Sequence, residues 1–288
     1  MPSSFWTNPQ VSLPAFGLLA GFIAVAIWES FRPLRTPLLP TWRRWLAHGV
    51  VWFVNNFAAL FIVQLGAVYF AAARSGWSFD RQNWPLVALR ILLFFLLLDF
   101  LRFVEHYLFH RIPVLWRLHQ VHHADADFDV STALRFHPLQ TALDQIGLLV
   151  TIAVFGPPPE AVFAFAVAGS VQDMFVHANV SSSRLERILG PFLITPNMHR
   201  LHHSIEIGEQ NLNFGFVFSW WDRMFRTFRS GSGDVYPVGL EGYQDARSMS
   251  VWRMMAMPVW GGPAESAPET PETREMTPAS AVVNDRAI

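Results

Sequence analysis

Histidine is distributed very unevenly along this chain of 288 residues. Ten of the eleven histidines lie between positions 106 and 203, and most of them fall into three short groups. The groups read HYLFH at 106–110, HQVHH at 119–123 and HRLHH at 199–203, and His137 and His177 stand between them. Imidazole is the commonest metal ligand in proteins. The fold therefore has to bring several distant segments together around metal.

The spacing within each group is that of one helix face. His106 and His110 are four residues apart, and the other two groups repeat an HxxHH pattern. Residues i, i+3 and i+4 lie on the same side of a helix, so we expect each group to aim its imidazoles at one point. Nine or ten imidazoles exceed what one ion uses, since a zinc ion in a protein takes three or four ligands. The pattern predicts a centre of two metal ions.

Several kinds of metal centre are excluded by composition. The chain contains no cysteine, which removes thiolate ligands, iron–sulfur clusters and disulfides. The zinc-protease motif HExxH is absent, because Tyr107, Gln120 and Arg200 follow the first histidine of each group. All-nitrogen ligation disfavours magnesium and calcium. A di-metal oxidoreductase is favoured, with a di-zinc membrane hydrolase, or a membrane metal transporter or metal-binding protein, as the alternatives.

The composition indicates a membrane protein. Hydrophobic residues make up 52% and charged residues only 15%, against about 25% in soluble domains. The net charge of −1 gives no basic field for nucleic acid. The apolar runs cover 13–28, 45–73, 84–103, 139–155 and 160–179. We predict an all-α integral membrane bundle of about four to five membrane helices, the last two joined as a spanning or re-entrant hairpin at 156–159, with a cytosolic histidine-rich helical cap.

Basic residues give the bundle an orientation. Arg32, Arg35, Arg43 and Arg44 lie between the first two apolar runs, and such loops stay in the cytoplasm. Counting spans from there places both HxxHH groups on the cytoplasmic side, where they can share one centre. Arginine without lysine, together with abundant alanine and proline, is typical of a GC-rich bacterial genome. We therefore expect the bacterial inner membrane.

The ordered motifs resemble the fatty acid hydroxylase / sterol desaturase superfamily, whose members are membrane-bound histidine-rich di-iron oxygenases. The resemblance covers about residues 99–229. Its motifs are HxxxH at 106–110, IPVLWRLHQVHH at 112–123, ALRFHP at 133–138, HANV at 177–180, TPNMHRLHH at 195–203, NFG at 213–215 and SWWDRMFRTF at 219–228. It implies a four-helix membrane region under the cap, two Fe ions, O₂ as co-substrate and electrons from an external NAD(P)H-linked donor.

The resemblance also implies a set of metal ligands. They are His106, His110, His119, His122, His123, His177, His199, His202 and His203. His137 belongs to the RFHP element, and its role as ligand or structural residue stays open. Many relatives have a second histidine soon after the lone one, where this chain has Asn179, so one ion is expected to lack a nitrogen ligand unless water, His137 or Asn179 supplies it.

Two carboxylates stand one helical turn or more before candidate ligands. Asp173 lies four residues before His177, and Asp99 continues the stripe of His106 back into its apolar run. Buried imidazoles that bind metal usually donate their other N–H to an acceptor. We expect Asp99 and Asp173 to be such acceptors, and no catalytic side chain beyond the metal centre.

These expectations divide the chain into three parts: membrane helices at 1–98, a fatty acid hydroxylase-like di-iron domain at 99–230, and an extension at 231–288 that is largely disordered from about 258. The expected reaction is hydroxylation or desaturation of a lipid, whether fatty acyl, sterol-like or ether lipid, in lipid biosynthesis or modification. The expected partners are the lipid, a redox donor protein and the membrane. The sequence specifies no oligomeric state.

Overall fold

The computed structural model describes residues 9–56, 84–181, 183–231 and 233–260. Its described elements are helical, with two isolated β-bridges, Leu193 to Phe218 and Ser204 to Val238, as the extended pairings among them. We number the α-helices α1 to α11 in chain order. They are Pro9–Phe31, Thr41–Asn55, Trp84–Arg111, Pro113–His123, Pro138–Phe155, Pro159–Val176, Ser183–Leu189, Pro196–His202, Ile207–Gln210, Trp220–Phe225 and Val251–Trp260. Short 3₁₀ helices cover Val130–Leu134 and Ala246–Met249.

Proline and capping residues set where the site-bearing helices begin. Proline occupies the first turn of α4, α5, α6 and α8, where its missing N–H costs no hydrogen bond. Thr195 caps α8 by accepting from the Met198 N–H. His137 caps α5 by accepting from the Leu139 N–H.

Helices α5 and α6 form the expected hairpin. Helix α5 ends at Gly156, whose φ of 60° is left-handed and free of strain for glycine, and two prolines lead into α6. Ile152 and Val162 are buried against each other across the pair. The turn that the Gly-Pro-Pro-Pro sequence predicts is therefore present.

One helix among the described residues, α5, is long and apolar enough to cross a membrane, and Leu19–Phe31 is a shorter apolar helix. The 28-residue α3 also leaves an apolar surface exposed, with Leu86, Leu92 and Leu93 more than half accessible. Much of the predicted run 45–73 lies outside the described residues. The count of four to five membrane helices stays a prediction.

The described part of the C-terminal extension includes a regular helix. Residues 251–260 form the regular helix α11, which packs on α4 and α2. Val51, Val121 and Met254 are fully buried where the three helices meet. Pro258 lies inside this helix. Nearly all of the segment expected to be disordered lies outside the described residues, so that expectation stays a prediction.

Candidate metal centre

Nine histidines come together in two adjacent groups. In each group the candidate ligand atoms all lie within 4.8 Å of one another. Site A consists of His106, His110, His119, His123 and His202, and site B of His122, His177, His199 and His203. The rings of His123 and His203 stack with centroids 4.3 Å apart, so the two sites are neighbours. These nine are the histidines that the sequence singles out.

Imidazole nitrogens within each site approach one another closely. In site A, His106 Nε2 lies 3.2 Å from His119 Nε2 and 3.0 Å from His202 Nε2. In site B, His177 Nε2 lies 3.2 Å from His122 Nε2 and 3.0 Å from His199 Nε2. Ligands about 2.1 Å from a common ion are separated by about 3 Å when they subtend a right angle. The spacing fits one ion in each site.

Each HxxHH motif supplies both sites, which corrects the expectation that one motif aims at one point. In α4, His119 and His123 face site A while His122 faces site B. Around α8, His199 and His203 face site B while His202 faces site A. The reason is helical rotation of about 100° per residue. Around the helix axis, position i+4 is therefore rotated by about 40° from i in one direction, whereas position i+3 is rotated from i in the opposite direction.

Four of the histidines are oriented through their outer nitrogens. His106 Nδ1 lies 2.9 Å from the Phe214 carbonyl, and His202 Nδ1 lies 2.8 Å from the Leu212 carbonyl. His119 Nδ1 lies 3.2 Å from Gln140 Oε1. An Nδ1–H donated to such an acceptor leaves the Nε2 lone pair free for metal. The rings are thus held with Nε2 directed into the site.

The fourth oriented histidine is His177, at the C-terminal end of α6. Its Nδ1 lies 2.7 Å from the carbonyl of Asp173 and 3.3 Å from the Asp173 carboxylate. The nearer acceptor is the backbone carbonyl, and the role of the Asp173 carboxylate stays a prediction. The Asp99 carboxylate faces elsewhere: it accepts from Val217 N, Phe218 N and the Trp221 indole N–H. It fastens the 217–221 turn, and the expectation that it orients a histidine is wrong.

Several buried imidazole nitrogens in the described structure have no protein partner. Both ring nitrogens of His123 and of His203 are in this position, as is His110 Nε2. Buried polar atoms without a partner each cost about 1–3 kcal/mol. Concentrating them in one pocket is unfavourable unless a ligand accepts their lone pairs. Together with the donor set, this fits two transition-metal ions.

Burial also keeps the imidazoles in the metal-binding form. Desolvation, reinforced by the neighbouring imidazoles, holds the pKa values of His119, His123 and His203 well below 6.5. Neutral imidazole is the form that binds metal. Aromatic rings complete the enclosure: Phe136 stacks on His122 with centroids 4.2 Å apart, and Phe214 lies against His106 and His202.

The structure shows where His137 and Asn179 lie relative to the two sites. His137 lies in neither site, since its Nδ1 caps α5 and its Nε2 lies 3.2 Å from the Met255 carbonyl. Asn179 is occupied elsewhere, accepting from Arg35 N and donating to the Arg35 carbonyl. Neither residue supplies a fifth nitrogen to site B. His48 bonds to Ser131 Oγ, away from both sites.

Sequence reasoning missed the residues that hold the site-bearing loops. Arg44 of α2 is fully buried and binds the carboxylates of Asp125 and Asp129. Arg135 is also fully buried and donates to the carbonyls of Val121 and Ala124 at the end of α4. The sequence feature that could have revealed them is the charge beside apolar runs, with three aspartates in ADADFD and an arginine in ALRF.

The loop that supplies the two backbone acceptors is fixed in a similar way. Asp222 accepts from the Phe214 and Gly215 N–H groups, at 2.8 and 2.7 Å. Asn213 has a left-handed φ of 57° and donates to the Met198 carbonyl. The NFG and SWWDRMF motifs thus act together, behind His106 and His202.

Comparison with known proteins finds a family that matches the histidine-rich segment. The fatty acid hydroxylase family matches residues 91–227, which contain all nine histidines of the two sites. This part of the chain is similar to the fatty acid hydroxylase family. No solved structure matches the chain.

The fatty acid hydroxylase segment is similar to enzymes from distant organisms. Alkylglycerol monooxygenase of Caenorhabditis elegans is 31% identical over 142 residues, which are 49% of this chain and 27% of the relative. The ornithine lipid hydroxylase OlsE of Rhizobium tropici is 32% identical over 56% of this chain and 49% of its own length. Methylsterol monooxygenase 1 of Gallus gallus is 29% identical over 42% of this chain and 41% of the relative. The matches thus span about a quarter to a half of these relatives.

Proposed function

We propose that this protein is a membrane-bound di-iron enzyme that uses O₂ to hydroxylate or desaturate a lipid. The observation that carries the proposal is the pair of adjacent all-imidazole sites inside a fatty acid hydroxylase segment. The relatives are named for oxidation of alkylglycerols, an ornithine lipid and methylsterols. A fatty acyl, sterol-like or ether lipid is the substrate class.

The donor set supports iron over zinc. Within the described residues neither site includes a carboxylate that could act as the base of a zinc hydrolase. Nine imidazoles suit two ions with open positions, as O₂-activating iron requires. Two bound irons would supply O₂ activation, with electrons from an external NAD(P)H-linked donor.

The protein's own part is to hold the metal ions, to orient the imidazoles and to enclose the centre. Gln140, Asp173 and the 212–214 backbone keep the imidazoles in one tautomer. Burial and the surrounding phenylalanines exclude water, which protects a strongly oxidising centre from side reactions. Neither site offers a proton-transferring side chain beyond imidazole. The position of the substrate C–H bond at the centre therefore determines the product.

The contacts of the arginine-rich loop support a cytoplasmic location of the centre. Leu34 N donates to the Asn179 carbonyl, and Leu38 N to the Asp127 carboxylate. Residues 32–40 therefore lie on the same side of the molecule as the histidine-bearing loops. A basic loop between membrane helices stays inside the cell. We propose the bacterial inner membrane, with α5 and the exposed part of α3 in lipid.

The test combines metal analysis with turnover. Purified protein reconstituted with iron should hold about two iron ions per chain and oxidise at least one of an alkylglycerol, an ornithine lipid and a methylsterol when O₂ and a reductant are supplied. His122→Ala and His202→Ala, one from each site, should lose activity and iron while the protein still inserts.

His137→Asn is the matched control. This histidine lies in the same region but in neither site, and asparagine also caps helices. The variant should keep both irons. Full activity in either alanine variant, or zinc as the only metal that supports turnover, would refute the proposal.

A further inference from the structure

A large cleft borders the metal centre. Its volume is about 770 Å³, within the range of about 300–1,000 Å³ that small-molecule sites occupy. The ring of His110, a member of site A, lies in its wall. The cleft therefore leads directly to a candidate metal ligand.

Residues beyond the matched segment form much of the cleft. Helix α11 contributes Trp252, Ala256 and Met257, and the preceding loop contributes Leu240 and Tyr243. Helix α4, which packs on α11, contributes Trp116 and Gln120. The fatty acid hydroxylase match ends at 227, so these walls are built by the part of the chain that follows it.

The lining combines aromatic and apolar side chains with about as many polar ones. Trp116, Trp252 and Trp260 all line the cleft, and the last two lie in ring contact at 6.1 Å. Tryptophan offers a broad apolar face with one polar edge and suits the boundary between an acyl chain and water. The occupant should be an amphiphile rather than a fully polar metabolite.

The charges of the lining indicate which headgroup fits. The charged residues of the described lining are Glu241, Asp245 and Arg253. The Asp245 carboxylate is already paired with Arg247, at 2.5 Å. Phosphate sites normally present several arginines or lysines, whereas this lining has one arginine beside two carboxylates. Because Asp245 is paired with Arg247, the remaining charges are those of Arg253 and Glu241, and a phosphate group would meet no net attraction.

We propose that this cleft binds the lipid substrate, and that it selects a chain carrying an uncharged, hydroxylated headgroup over one carrying phosphate. The inference rests on the proposed function, because the lipid is taken to reach site A through the cleft. It assigns the 240–260 segment a role in choosing the substrate.

Photo-crosslinking tests the proposal without requiring turnover. The full chain, metal-free and iron-loaded, is irradiated with a glycerol ether whose alkyl chain carries a diazirine, and adducts are located by peptide mass spectrometry. We expect adducts on cleft residues such as Trp252 and Met257, competed by excess unmodified glycerol ether. The same chain on a glycerol phosphate should label at least about tenfold less, a factor worth about 1.4 kcal/mol.

Two variants on one helix give the matched comparison. Ala256→Phe fills the cleft and should lower labelling about tenfold, since the added ring occupies space that the lipid needs. Val259→Phe lies outside the cleft, on a side chain 72% exposed, and should label like the parent. Trp252→Ala removes a wall without adding bulk and should also lower labelling, which keeps the test valid if Ala256→Phe does not fold.

Other results overturn the inference. Labelling that is unchanged in both Ala256→Phe and Trp252→Ala, or absent from the cleft of the full chain, would leave the cleft to another occupant, such as residues 261–288 or a second copy. Equal labelling by the phosphate lipid would remove the headgroup selection. Iron-dependent turnover without cleft labelling would refute this inference alone, and cleft labelling without turnover would refute the proposed function alone.

Discussion

At the scale of single residues, the two nitrogens of each imidazole have different tasks. Where Nδ1 faces a carbonyl or an amide oxygen, as in His106, His119 and His202, Nε2 faces the site. His123 and His203 instead have both nitrogens without a protein partner in the described structure. Metal binding should therefore fix these two rings more than the others.

Gln140 provides a test of orientation by a side chain. It is buried, and its Oε1 is the acceptor 3.2 Å from His119 Nδ1. Gln140→Leu removes the acceptor at similar volume and should weaken iron binding about 10- to 100-fold, the usual effect of losing a partner behind a ligand. Competition with a chelator measures it. Gln140→Glu keeps an acceptor oxygen and should retain most of the affinity; equal loss in both variants would show that the hydrogen bond is not responsible.

At the scale of elements, buried charges help to hold the loop after α4. Arg44 donates to Asp125 at 2.8 Å and to Asp129 at 2.6 Å, and Thr132 Oγ1 donates to Asp125. Glu29 of α1 accepts from both Val130 N and Asn179 N. The N-terminal helices thus fasten two loops that follow candidate metal ligands.

This network predicts a pH dependence of stability. Burial alone would raise the pKa of Asp125, but the Arg44 guanidinium holds it well below its ordinary value. A carboxyl whose folded pKa is depressed stabilises the fold above its unfolded pKa of about 3.9, and this stabilisation is lost as pH falls further. Asp125→Asn should lower the free energy of unfolding by about 3–5 kcal/mol at pH 7, as for a broken buried ion pair.

Unfolding in detergent from pH 7 to 3 measures this difference. The difference in free energy of unfolding between Asp125→Asn and the parent should begin to shrink below about pH 4, because the parent protein then loses the same interaction. Asp234→Asn, at an exposed position, is the control and should change stability little at any pH. A constant difference between Asp125→Asn and the parent across the range would contradict the charge explanation.

Close packing at the start of α8 predicts a second effect at this scale. A Cβ at Gly231 would collide with the Asn197 backbone, whereas one at Gly49 in α2 would meet nothing within 4 Å. Gly231→Ala should destabilise by about 1–3 kcal/mol and disturb the helix that carries His199. Gly49→Ala should be neutral or stabilise by up to about 1 kcal/mol. Thermal unfolding compares them, and equal behaviour of the two would argue against this packing.

At the scale of the whole molecule, the absence of cysteine allows the orientation to be tested directly. Ser230 is exposed, and its neighbour Arg229 donates to Asn213 in the loop behind His202. Ser230 therefore lies on the side of the metal centre, and Ser230→Cys introduces the one thiol of the chain. If the centre is cytoplasmic, a membrane-impermeant maleimide should label this variant in inside-out vesicles and not in intact spheroplasts. The cysteine-free parent is the control for background. Labelling in intact spheroplasts would reverse the orientation.

The sequence by itself determined the local features of this protein. Helical spacing in HxxHH, the Gly-Pro turn after α5 and the prolines that begin α4 and α8 depend on backbone geometry over a few residues, so they can be read without a fold. The same is true of the candidate ligand set, because nine histidines at those spacings stand out from the rest of the chain. Their metal-binding role stays a prediction that iron analysis tests.

Only the tertiary structure decided how these features combine. It divided the histidines five to four, assigned His137 to a helix cap and Asn179 to Arg35, and moved Asp99 to another loop. It also placed α11 beside His110 to form the cleft. Each of these depends on which distant segments approach one another, and that is set by the burial of whole helix faces and of charges such as Arg44, not by neighbours in the chain.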